Sequence, residues 1–260
     1  MSVLTWLAPL SSWLVMLHLG AQSTQAHAAA RPGLGLFAAH YALPLLTVLL
    51  LYWLGLLDVP QSLGLAVCVL AGTGTSAVPW ALREGASGGA ISHRLAVGAV
   101  VALICLPLTA LAFATPDVAL QRFALTALIM AGAMWLPWLL GRRLARRPLS
   151  AAAASLLGKA ATLSVLALIL LIAWRELPRR PGLPALLAAC VLLVLVQGTG
   201  GALLDAASGL ATTAVIRNLT LATVVLMIGD HAGGAMTALA AFGVVMYLGV
   251  WPTSLLARHW

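Results

Sequence analysis

Arg217 and Asn218 stand one helical turn beyond Thr212 and Thr213, inside an apolar stretch, 208–229, long enough to cross a bilayer. A guanidinium at that depth costs several kcal/mol unless an anion or a set of carbonyls meets it. Its chemistry is that of a fixed cation, and three uses share one geometry. It can receive the anionic group of a small molecule, stand where a metal ion would bind, or tie the exposed carbonyls of a second broken helix. Another apolar stretch, 60–82, carries Thr73, Thr75 and Ser76. Like Thr212 and Thr213, these hydroxyls either coordinate a ligand or bond back to the i−4 carbonyls of their own helix. His40, in the stretch 34–57, either faces a cavity and titrates or is a buried histidine bonded to a neighbour.

Other chemistries lack their residues. Asp58, Glu84, Asp117, Glu176, Asp205 and Asp230 all fall at or near the ends of apolar stretches, so none is expected at mid-depth, where a proton-coupled cation exchanger would want one. A membrane enzyme would need a mid-depth Ser/His pair, paired Asp or a His-carboxylate metal spacing, and none is present. Cys68, Cys105 and Cys190 have no paired spacing and read as small buried side chains, so no metal and no cofactor is expected. Gly72-Thr73-Gly74 and Gly198-Thr199-Gly200-Gly201 lead into no Gly-Lys-Ser/Thr sequence and are not phosphate loops. Asn218-Leu219-Thr220 spells a glycosylation acceptor that membrane depth would hide.

The elements that must hold these residues are membrane helices. Hydrophobic residues make up 62% of the chain and charged residues 8%, and the mean hydropathy is +1.06; a soluble domain carries roughly 25% charge. The net charge of +8 comes from basic residues gathered mainly at segment ends, as topology signals and headgroup contacts, not as a nucleic-acid surface. Lys159, near a span end, is expected to snorkel. Nine candidate spans lie near 4–20, 34–57, 60–82, 94–115, 120–140, 151–174, 182–204, 208–229 and 233–256. Short polar links leave no room for a soluble domain, so 1–260 reads as one membrane domain. Met1 to Gly20 followed by Ala26-His27-Ala28 reads as a retained first helix, because it lacks a basic start; read instead as a cleaved leader, it would leave eight spans. With a cytoplasmic C-terminus, basic residues favour the inside by about two to one.

One short stretch recurs: Gly72-Thr73-Gly74-Thr75-Ser76-Ala77-Val78 and Gly209-Leu210-Ala211-Thr212-Thr213-Ala214-Val215. Helix breaks inside a bilayer survive only where protein or water satisfies the backbone. Matched breaks in two halves mark a transporter whose site lies at their meeting. Leu43-Pro44 and Leu183-Pro184 precede the two stretches, and Leu106-Pro107 and Trp251-Pro252 follow them, so the spans pair across 1–115 and 116–260 with that near 120–140 left over. An odd number of spans between the breaks gives the halves opposite orientation; chance similarity among abundant Ala, Gly, Thr and Val is the alternative.

Gly72-Thr73-Gly74-Thr75-Ser76-Ala77-Val78, Leu106-Pro107-Leu108 and Ile216-Arg217-Asn218-Leu219 with Leu221-Ala222 resemble the bile acid:sodium symporter family over nearly the whole chain in segment order. The resemblance implies an all-α integral membrane protein with an inverted-repeat transporter fold. It would have two crossed broken helices, a four-helix first repeat and a five-helix second, as in members lacking the first helix. Alternating access for organic anions is implied with it. The sequence departs from the family at the sodium sites. A Ser-Asn pair reads Ser76-Ala77 here, and a glutamate followed by Gln-Asn reads Thr213 and Arg217-Asn218. A cation would be repelled by Arg217, so sodium coupling is not expected. The expected function is secondary or facilitated transport of a small organic anion, with Thr73, Thr75, Ser76, Thr212, Thr213, Arg217, Asn218 and His40 lining the site. The alternative is a non-transporting membrane scaffold or sensor that kept the fold. Short loops and Ala-Leu-Gly richness fit a bacterial inner membrane; substrate identity and oligomeric state are open.

Overall fold

The computed structural model describes residues 3–22, 34–84, 86, 88–112, 121, 124–125, 127–129, 132, 135–145, 151–179, 182–204, 211–228 and 233–256. Among them there is no strand, and the helices are α1 (Val3–Gln22), α2 (Leu34–Trp53), α3 (Val59–Leu70), α4 (Val78–Arg83), α5 (Gly88–Ala112), α6 (Leu136–Ala145), α7 (Ala151–Glu176), α8 (Leu183–Leu204), α9 (Ala211–Val215), α10 (Leu219–Ile228) and α11 (Gly234–Leu256). Parts of the expected span at 120–140 (120, 122–123, 126, 130–131 and 133–134), as well as Ala26 to Ala28, Asp117, Asp205 and Asp230, lie outside the described residues.

Four described helices are long and apolar enough to cross a membrane unaided: Leu34–Trp53, Ala152–Glu176, Leu183–Leu203 and Gly234–Thr253. Their faces divide as a bilayer requires. On α7, Leu156, Leu163 and Leu170 recur every second turn and are exposed, while Ala161, Val165, Leu168 and Ile172 on the other side are buried. Outward apolar residues at this spacing suit lipid, and burying all backbone polar groups in helices is the solution hydrocarbon imposes. The chain is an α-helical membrane protein.

The interior is organised around α11 and the α9–α10 pair. α11 packs against α3, α7, α8, α9 and α10, and α1 packs against α6, α7 and α10. Every residue of α9 is buried, as are Leu219 to Leu226 of α10. Those two short helices are therefore shielded by their neighbours on all sides. Cys68 and Cys190 are buried among apolar side chains, Cys105 is half-buried, and all three are free thiols. The Gly198 to Gly201 run is continuous helix within α8, with Thr199 bonding back to the Leu195 carbonyl at 2.7 Å.

Candidate functional site

Two helix interruptions meet in the interior. α3 starts at a capping box, Asp58 accepting from Gln61 N–H at 2.7 Å while the Gln61 side chain accepts from Asp58 N–H at 3.0 Å. It stops at Gly72, whose φ of +74° only glycine adopts without strain. Thr73 is extended, Thr75–Ala77 form a single 3-10 turn, and α4 begins at Val78 with Pro79 in its first turn. Pro79 thus starts the second half-helix; it does not kink a continuous one.

The second interruption lies at Ile216–Asn218, between α9 and α10. This corrects part of the sequence reading: Gly209 and Leu210 of the repeated stretch lie outside the described residues, Ala211 to Val215 are helical, and the chain leaves that helix at Ile216. Backbone pairing makes this break, and no glycine is needed. Asn218 N–H donates to the Gly72 carbonyl and Gly74 N–H to the Ile216 carbonyl, both at 2.9 Å, an antiparallel bridge of Thr73 with Arg217. A Cβ on Gly74 would stand 2.7 Å from the Arg217 carbonyl oxygen, so a side chain there would force the crossing apart. The two breaks thus satisfy backbone groups of one another, and Arg217 N–H donates to Met246 Sδ of α11 at 3.2 Å, as a low-dielectric interior demands.

Arg217 is 1% exposed, among the largest fully buried side chains. Its Nη2 donates to the His40 carbonyl at 2.6 Å. Pro44 explains why that oxygen is available: four residues on from His40, it has no N–H to return to it, and the chain widens into a π turn over Ala38–Ala42. With its amide oxygen turned toward the guanidinium, Gln197 of α8 accepts from Nη2 at 3.3 Å and from Nε at 3.2 Å. The guanidinium carbon lies 5.7 Å from the centre of the Tyr41 ring. Nη1 is buried with no hydrogen-bond partner, as is Nε2 of His40. Among the described residues no carboxylate pairs with Arg217. The guanidinium is not tied to carbonyls of the opposite broken helix; the backbone groups of the flanking Ile216 and Asn218 make that contact, while the side chain reaches α2 and α8.

The other expected site residues divide between crossing and support. Thr73 Oγ1 donates to the Thr213 carbonyl at 3.0 Å. Ser76 shares a 2.9 Å hydrogen bond with the Tyr247 hydroxyl of α11. Thr212 donates to Glu84 Oε2 at 2.9 Å. Asn218 caps α10, its Oδ1 accepting from Leu221 N–H at 3.3 Å and from Thr220 at 2.7 Å. Thr213 is buried in α9, and Thr75 lies in the 3-10 turn with its side chain outside the described ones. His40 contributes its backbone oxygen to the site.

Sequence reading missed Gln197, Tyr41, Tyr247 and Glu84. Gln197 carried a signal, being the single amide in the apolar run of α8. Glu84 does end a helix as expected, yet that helix is a short half-helix, which brings its carboxylate to the first turn of α9.

Two apolar chambers open elsewhere: one of about 370 Å³ between α2 and α3, lined by Val48, Tyr52 and Leu63 among others, and one of about 140 Å³ between α1, α5 and α6. No residue described as lining either belongs to the crossing.

Fold and site define a helical membrane protein with a buried arginine, paired with no carboxylate among the described residues, where two interrupted helices meet. No protein-family model and no curated protein sequence matches the chain.

Proposed function

We propose that this chain is a secondary or facilitative carrier of a small organic anion, working by alternating access without the usual sodium sites. The observation that carries the reading is the state of Arg217: fully buried, two of its nitrogens on neutral oxygens, Nη1 without a partner and no carboxylate paired with it among the described residues. A positive charge in such surroundings is costly until a counter-charge arrives. An anion entering from solution supplies it.

The His40 carbonyl and the Gln197 amide are neutral oxygen donors of the kind that hold a small cation, and the guanidinium already occupies them. Arg217 thus supplies a built-in positive charge where sodium serves in the family that the sequence resembles. The antiparallel pairing of the two breaks supports reading 1–115 and 116–260 as inverted repeats of that family's type. In this reading the interrupted helices rock against their neighbours while the anion stays at the crossing, exposing it to each side in turn.

A scaffold or sensor draws on one observation: the crossing is closed off, with Thr212, Thr213 and Arg217 almost wholly buried. Flux decides between them. In proteoliposomes, organic-anion uptake should proceed equally with and without sodium and be lost in Arg217→Gln. Strong sodium dependence that survives Arg217→Gln overturns the proposal, and absence of flux for every anion class favours the scaffold.

A further inference from the structure

The chamber between α1, α5 and α6 is apolar on every described wall. Ala96, Ala99 and Leu103 lie on one face of α5, at i, i+3 and i+7, and extend about 10 Å along that helix. Trp135 and Trp138 form the facing wall, edge to face with centres 5.8 Å apart, and Met16 of α1 closes the side. The volume of about 140 Å³ suits a slender apolar group, not a bulky one.

The charge beside the chamber says what that group belongs to. One turn beyond Trp138, the Arg142 guanidinium sits 4.9 Å from the centre of the Trp138 ring, on the residue that lines the chamber. Its Nε is buried and has no hydrogen-bond partner. Arg143 follows in the last turn of α6 and is exposed. Among the described residues no carboxylate pairs with either. Cation over aromatic ring accounts for one face of Arg142, not for its unpartnered Nε–H; guanidinium N–H donors match the oxygens of a phosphodiester. Tryptophans and arginines side by side also mark the headgroup level of a membrane.

We propose that α1, α5 and α6 form a binding site for an anionic glycerophospholipid, with its phosphate on Arg142 and Arg143 and one acyl chain in the chamber. A phosphodiester covalently joined to a hydrocarbon chain satisfies both halves at once, whereas a zwitterionic lipid brings a choline cation toward the arginines. This site is independent of the transport reading.

The test uses the full chain purified in neutral detergent, with thermal unfolding followed as lipid is added. Palmitoyl-oleoyl phosphatidylglycerol should raise the unfolding temperature, and phosphatidylcholine with the same chains should not. Arg142→Gln should need about fivefold more phosphatidylglycerol for the half-maximal rise, the effect of one basic residue at an anionic headgroup. Ala99→Phe, which fills the chamber, should abolish the rise. Dioctanoyl phosphatidylglycerol should act more weakly than the long-chain lipid, and glycerol 1-phosphate not at all; these two comparisons use the unaltered protein and decide the matter even where Ala99→Phe does not fold. Equal responses to phosphatidylglycerol and phosphatidylcholine, an undiminished response in Arg142→Gln, or a glycerol 1-phosphate response matching the lipid's would each overturn the proposal.

Discussion

Gly72→Ala tests whether the crossing is as tight as its geometry requires. Alanine at φ +74° costs about 1–2 kcal/mol, because its Cβ crowds the following carbonyl in the left-handed region. The same Cβ would stand 2.6 Å from the Gly98 carbonyl oxygen and 2.8 Å from its carbon, both backbone atoms of α5 that no rotamer change can move. Overpacking of that kind adds about 1–3 kcal/mol, so the total loss should be about 2–5 kcal/mol. Relief by displacement would pull Gly72 away from Asn218 N–H and break the bridge between the two interruptions. Gly55 provides the internal control, with φ +71° and nothing within 4 Å of a Cβ placed there. Gly55→Ala should therefore lose only the backbone share, about 1–2 kcal/mol. Equilibrium unfolding in mixed detergent and dodecyl sulfate reads both variants against the parent. Equal losses at the two positions would refute the close approach of the first break to α5.

Gln197→Leu removes the acceptor of Arg217 Nε and should destabilise by about 1.5–3 kcal/mol in the same unfolding assay, the usual cost of losing a hydrogen bond to a charged group. Gln197→Glu, in contrast, gives the guanidinium a carboxylate partner, so the protein should stay folded while losing anion binding, which thermal stability with and without ligand will read. For Ser76 and Tyr247, a double-mutant cycle through Ser76→Ala and Tyr247→Phe should return a coupling of about 0.5–1.5 kcal/mol, whereas zero would mean that the 2.9 Å contact is not a formed hydrogen bond.

The first break was legible because its cause is local. Gly72 and Gly74 interrupt an apolar run, and Pro79 can start a helix but not continue one. The second was visible only through its charge. Thr212-Thr213-Ala214-Val215 looks like its counterpart because both are built from small and β-branched residues, yet it is helical, and Ile216–Asn218 is extended because the first break offers it hydrogen bonds from 140 residues or more away in sequence. Arg217 could be picked out as a buried cation, but its partners could not. Gln197 and the His40 carbonyl reach it through packing of α8 and α2, which no local pattern encodes. The His40 carbonyl left without its i+4 N–H is the exception, since a proline four residues later predicts it. The membrane-helix class follows from hydropathy alone, and the four long helices fall where apolar runs placed them.

The central claim is that the arginine at the crossing, which has no counter-charge among the described residues, takes one from a ligand. Thermal unfolding of the purified protein across a set of organic anions, with Arg217→Gln in parallel, tests it most directly. At least one anion should stabilise the parent and leave Arg217→Gln unchanged. Equal stabilisation of both proteins, or none across carboxylates, sulfonates and phosphates alike, would contradict it.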